Sequence, residues 1–224
     1  MTRSIVRLEP AHLAAVDAPC GGPCLFWERD PVSRSRSVDP AADKAEWLAD
    51  VQREWGDCGH AVLVHGVPVG YAVYAPAAFV PGAAAFPTAP VSSDAVLLTT
   101  VRVVPAASGG GLGKLLVHRM ARDLVHRRVR AVEAFGDVRG RRECVLPAGF
   151  LEAVGFHVQR EHGQTPRMRM DLRNALTWRS DIEAAWDRLV GAVRPTPETG
   201  RAPEASRVLR TARGRGVRSG AGLR

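Results

Sequence analysis

The 224-residue sequence has no run of 18 or more apolar residues, so nothing in it reads as a membrane-spanning helix. Its first dozen residues, MTRSIVRLEPAH, lack the apolar stretch of a secretion signal, and the expected compartment is the cytoplasm. Cysteine is sparse, at Cys20, Cys24, Cys58 and Cys144 alone, and cytosolic cysteines are usually reduced and often simply buried. The spacing Cys20-x3-Cys24 with Cys58-x-His60 matches the usual zinc half-sites poorly, so buried reduced thiols are expected and no metal. Lysine is nearly missing, with Lys44 and Lys114 the only two among 31 basic residues. Tyrosine is confined to Tyr71 and Tyr74, which leaves few phenols for proton transfer.

What is present begins with apolar content: 46% hydrophobic residues suffice for one substantial core. The net charge of +8 is uneven, because the segment from Arg194 onward contributes +6 of it. That segment is rich in Pro, Gly, Ser and Ala without hydrophobic periodicity, and residues 194–224 are expected to form a disordered basic tail. Weak contact with nucleic acid through phosphate attraction is open to it, although no aromatics are interleaved. Before it, Thr177–Val193 has the spacing of an amphipathic helix, which leaves docking on the core or a homodimer open.

The most informative stretch is VRVVPAASGGGLGKLLVHR, Val101 to Arg119. A β-branched run ends at Pro105, a glycine-rich turn follows, and Leu112, Leu115, Leu116 and Met120 then fall on one helical face. Strand, glycine turn and helix start together present unpaired backbone N–H groups to an anion. Lys114 adds a formal charge there. The turn fails the ATP-type P-loop, with Ser108 at the first glycine position and Leu115 at the Mg²⁺-binding hydroxyl position. It fails the dinucleotide fingerprint as well, because Lys114 stands where the third glycine belongs.

Val103, Pro105, Gly109, Gly111, Leu112 and Gly113 instead fall in register on V-x-P-x-x-[RQ]-G-x-G-x-[GA]. The stretch thus resembles motif A of the GNAT superfamily of acyl-CoA-dependent N-acyltransferases, with Ser108 in place of the usual Arg or Gln. A second resemblance, to motif B, places Leu151, Gly155 and Phe156 at its Tyr, Gly and Phe positions and Cys144 at its Asn position. The likeness covers roughly residues 3–173. It implies an α/β fold with a mixed, splayed sheet flanked by helices, and acetyl-CoA as co-substrate. Pantetheine would pair near Val101 and Val103, and the pyrophosphate would rest on Ser108, Gly109, Gly110, Gly111, Leu112, Gly113 and Lys114. The implied activity is transfer of an acetyl group to a primary amine, on a small molecule or a peptide. The alternative is a degenerate GNAT module that binds acyl-CoA without efficient transfer.

Proton handling needs its own residues. Glu133, on the strand beside the implied cleft, and Asp137 at its end are candidates to take the amine's proton, with Glu28 a further one. Leu151 cannot protonate the departing thiolate as a motif B tyrosine does; Cys144 is the polar residue nearest in sequence, and Tyr71 or Tyr74 are other options. The remaining pattern predicts a strand at Ser4–Leu8, helices at Pro10–Val16 and Ala41–Trp55, and a hairpin of His60–Val64 and Val69–Tyr74 turning through His65 to Pro68. It further predicts strands at Ala95–Val104, Val129–Phe135, His157–Arg160 and Arg167–Leu172, and a short helix around Pro147. Ala75–Asp94, with four prolines, reads as a long loop anchored by Phe79 and Phe86, either a flap over substrate or a surface connection.

Overall fold

The computed structural model describes residues 2–16 and 23–172. Cys20, the helix expected at 177–193 and the tail at 194–224 lie outside them. Strand β1 (Arg3–Arg7) leads into helix α1 (Pro10–Ala15), and two helices, α2 (Pro31–Ser35) and α3 (Pro40–Glu54), follow. Both begin at an aspartate whose carboxylate accepts two backbone N–H groups, Asp30 for α2 and Asp39 for α3, with proline next.

Strands β2 (Gly59–Val64) and β3 (Val67–Pro76) form the expected hairpin, but its turn is only His65-Gly66. Both residues have positive φ, 52° and 81°. A two-residue turn of that hand matches the twist of the strands, so pairing continues through Val67 and Pro68. β4 (Ala95–Val103) and α4 (Leu112–His126) carry the motif. β5 spans Ala131–Asp137, two residues later than its sequence suggests, because the Val129 N–H closes the end of α4 on the Leu124 carbonyl. The two-residue β6 (Leu146–Pro147), α5 (Ala148–Ala153), β7 (His157–Arg160) and β8 (Arg167–Asp171) complete the described chain.

The sheet runs β1-β2-β3-β4-β5-β8-β7, with β6 alongside β5. Its pairs are antiparallel except β4 with β5 and β5 with β6. Helix α4 packs on one face and α1 on the other. Side chains along each strand alternate between the two cores: Val96 and Leu98 join α4's Val117, Met120 and Leu124, whereas Leu97 joins Leu48 and Val51 of α3. The 75–94 connection has many exposed residues and is anchored by Phe86 in the core with Phe79 packed against it, as a pinned surface connection would be. It makes two 3₁₀ turns and inserts Val80, Ala83 and Phe86 into the second core. There Phe86 stacks on Trp27, at 5.2 Å, and on Phe135, at 4.2 Å, and those two rings lie 6.1 Å from each other.

Candidate functional site

β4 and β5 pair only over Ala95–Leu97 and Ala131–Glu133. At Thr99 the β3–β4 register shifts, with Val73 opposite Thr100 but Tyr74 opposite Leu98, and the Thr99 hydroxyl donates to the Val73 carbonyl at 3.1 Å. A bulge of this kind bends its strand. Beyond Leu97, among the described residues, no strand pairs with β4 on the β5 side, while the end of β5 pairs with β6 instead. The sheet is therefore split at this point. A cavity of about 710 Å³ lies in the split, with Thr99–Arg102 on one side and Leu146 and Pro147 on the other.

The free edge of β4 runs through a 3₁₀ turn, Pro105–Ala107, to the start of α4. Gly109 and Gly111 have φ of +80° and +76°, a conformation glycine adopts at little cost. A Cβ at either would meet nothing within 4 Å, so the turn faces open space. Among the described residues, no acceptor takes the backbone N–H groups of Gly109 to Lys114; the first bond of the helix is from the Leu115 N–H to the Gly111 carbonyl, at 3.0 Å. Lys114 is exposed beside them. Ser108 turns its hydroxyl back onto the Val104 carbonyl at 3.1 Å, so it closes the turn rather than reaching out of it. Leu112 is buried as the first apolar residue of α4, and Gly113 lets Phe150 of α5 approach to 3.2 Å of where a Cβ would stand. Val101 and Val103 pair with Ala72 and Gly70 on β3, and Val101 also lines the cavity. The glycine turn and the free strand edge suit a ligand that is extended at one end and anionic at the other.

The predicted proton carriers are not gathered together. The Glu133 side chain is 0% exposed and held between Arg167 Nε and Arg169 Nη1, each at 3.2 Å, with the Ser92 N–H donating at 3.1 Å. It does not line the cavity. Asp137 accepts the backbone N–H groups of Arg139, Arg141 and Arg142 at 3.0, 2.6 and 2.7 Å. Burial opposes its charge, but those amides override burial and hold the carboxyl below its ordinary range. What Asp137 does is fix the loop that presents Arg142 and Glu143 to the cavity. Cys144 lies in the wall itself, its carbonyl accepting from Trp27 Nε1 at 2.9 Å. Leu151, at the motif B tyrosine position, is 0% exposed in the core.

Of the two tyrosines, only Tyr71 lines the cavity. Burial pushes its phenol up against the opposing charge of Lys44, so it stays protonated at neutral pH. Tyr74 lies in the other core, donating to Asp123 at 3.0 Å with its oxygen 3.2 Å from His60 Nδ1. Sequence reasoning missed Lys44, which enters the cavity wall from α3. Its ammonium donates to Glu28 at 2.6 Å and to the Cys24 carbonyl at 2.9 Å. Burial disfavours that charge, and Glu28 more than restores it. Of the three carboxylates nominated from sequence, Glu28 alone has a buried oxygen, Oε2, with no hydrogen-bond partner among the described residues. The one signal for Lys44 was scarcity, as one of two lysines in the chain.

Of the cysteine and histidine pattern considered for zinc, the described members are Cys24, Cys58 and His60. Cys58 is buried in the core with its thiol pushed up to about 12 by desolvation and Asp57, His60 faces Tyr74, and Cys24 lies at the cavity. Among the described residues no three His, Cys, Asp or Glu side chains come together as a metal site. No helix among them is long and apolar enough to cross a membrane.

No protein-family model and no curated protein matches the sequence. Solved structures do match. PaiA N-acetyltransferase from Thermoplasma acidophilum in complex with coenzyme A superposes with a TM-score of 0.51 at 11% identity, over 76% of this chain and 99% of that one. An N-acetyltransferase from Staphylococcus aureus Mu50 gives 0.52 at 14% identity, over 77% and 99%. The yncA protein of Salmonella typhimurium, solved with acetyl-CoA, gives 0.52 at 18% identity, over 77% and 95%. The chain has the GNAT fold, a mixed sheet split beside its central strand and flanked by helices.

Proposed function

We propose that the protein is an acetyl-CoA-dependent N-acetyltransferase acting on a primary amine. The observation that carries this reading is the continuity between the unpaired edge of β4 and the bare amides at the start of α4. The edge around Val101 and Val103 would take the pantetheine amides as an added strand. The amides from Gly109 to Lys114 would take the diphosphate, with the Lys114 charge and the helix dipole assisting. Two structural neighbours of the fold hold CoA or acetyl-CoA. Bound acetyl-CoA supplies an activated acyl thioester; the protein's part is to hold the amine against it, an effect worth up to about 7–11 kcal/mol when the geometry is right. Tyr71 is the residue we assign to protonate the departing thiolate, since it lines the cavity and keeps its proton. Glu28 does not line the cavity; it stands behind Lys44 and holds that ammonium in the cavity wall.

A second reading, an acyl-CoA binding module without transfer, draws on Leu151 being buried where motif B carries tyrosine and on Glu133 being committed to two arginines. Calorimetry with acetyl-CoA followed by thiol release over an amine panel separates them. Binding with release supports the enzyme, binding without any release supports the module, and no binding defeats both. In the enzyme, Tyr71→Phe should lower kcat about 100-fold and leave acetyl-CoA affinity unchanged.

A further inference from the structure

Cys24 and Cys144 stand 120 residues apart in sequence, yet their sulfurs are 3.3 Å apart in the cavity wall. The two sulfurs are in contact at a separation longer than a disulfide bond. A disulfide needs about 2.05 Å between sulfurs, so closure asks for an approach of about 1.3 Å. Each cysteine is already anchored through its carbonyl, Cys144 by Trp27 Nε1 and Cys24 by Lys44 Nζ, both at 2.9 Å. Both are half-buried and border an accessible cavity, so a small reagent can reach them. Cys58 differs on each count: it is fully buried, and its thiol is held well above the ordinary range.

We propose that Cys24 and Cys144 form a reversible dithiol–disulfide site in the cavity wall, with small disulfides of the glutathione class as its oxidants. One cysteine thiolate attacks a sulfur of glutathione disulfide, forming a mixed disulfide and releasing one glutathione thiolate. The second cysteine, as thiolate, then attacks the protein-side sulfur, closing the Cys24–Cys144 bond and expelling the second glutathione. The two protein sulfurs lose two electrons to the glutathione disulfide, and the two protons they shed end on the two glutathione thiols. The bond ties the segment before α2 to the loop before β6 within the cavity wall. This site does not depend on the protein being an acetyltransferase.

The test is incubation of the full chain with glutathione at a series of disulfide-to-thiol ratios, an acid quench, thiol alkylation and non-reducing peptide mass mapping. The expected product is one linkage joining the tryptic peptides 8–29 and 143–160, formed with paired loss of two alkylatable thiols and reversed by dithiothreitol. Peptide 8–29 also holds Cys20, so the Cys20→Ser variant must still form the linkage, whereas Cys24→Ser must not. Persistence of glutathione on either cysteine without closure, linkage through Cys20, or full alkylation of the folded chain at the most oxidising ratio would overturn the proposal. The linkage is read in the unvaried protein, so misfolding of a serine variant does not remove the test.

Discussion

Glu133 is where the two possible roles of a buried carboxylate can be told apart. Its side chain has no solvent exposure, and the two guanidinium groups it faces, Arg167 and Arg169, are only 12% and 13% exposed. Glu133→Gln keeps the shape but removes the charge and turns an NH₂ group toward one set of donors. Breaking a buried pair from one side costs about 3–5 kcal/mol, because it leaves the partner's charge uncompensated. Arg169 keeps Asp94 at 3.0 Å and Asp171 at 2.7 Å, so most of the exposed deficit falls on Arg167. The expected loss is therefore near the lower limit, about 3 kcal/mol. With a urea slope of about 2 kcal/mol/M, the unfolding midpoint should fall by about 1.5 M at unchanged slope. Acetyl-CoA affinity and turnover per folded molecule should stay within about twofold under conditions where the variant is folded, since the carboxylate does not reach the cavity. A variant with the parent's midpoint but a large fall in kcat would refute this reasoning and restore Glu133 as the base.

Gly111→Val should cost about 1–2 kcal/mol, because a β-branched residue is forced into the left-handed region, and it should lower acetyl-CoA affinity at least tenfold by calorimetry as its methyls cover the amides. Gly82→Ala should cost about 3 kcal/mol in a denaturation curve: the new Cβ would overlap the Phe26 carbonyl oxygen and stand 3.0 Å from Trp27 Cα, backbone atoms that cannot step aside. Burial, with Arg119 assisting, holds the His60 imidazole below its usual 6.5, so the unfolded chain takes up a proton before the folded one. Its stabilising contribution should be complete above that value and decline as pH falls toward the folded pKa, a decline that urea midpoints at pH 7.5 and 5.5 would register and His60→Gln would reduce.

The glycine turn was legible because backbone conformation writes itself into sequence. Positive φ at Gly109 and Gly111, and the close approach of Phe150 at Gly113, each call for a residue without a Cβ. The strands around it were legible for a similar reason, since alternating burial repeats every two residues. Boundaries slipped where a backbone group had another use, as the Val129 N–H does in closing α4. The cavity was far less readable. Trp27, Lys44, Tyr71 and Cys144 come from four separate segments, and no spacing along the chain relates them.

The carboxylates show why residue type alone misled. Glu133 sits in the run AVEAFGD, where every residue is buried, and a charge in such a run reads as functional until its partners are known. The partners were present in RMRMD, whose arginines alternate with buried methionines. Antiparallel register brings Glu133 opposite Arg169 and Phe135 opposite Arg167, which turns three separate charges into one ion-pair cluster. That match becomes visible only once β8 is known to lie beside β5, a pairing that closes over an intervening helix and two strands. Asp137 shows the local version: its carboxylate is spent on amides two, four and five residues ahead, within one loop. A carboxylate left over for chemistry must therefore be one whose oxygens the fold has not already claimed; Glu133 and Asp137 fail that criterion, whereas Glu28 keeps one oxygen unclaimed but stands behind Lys44, which is the group that reaches the cavity wall.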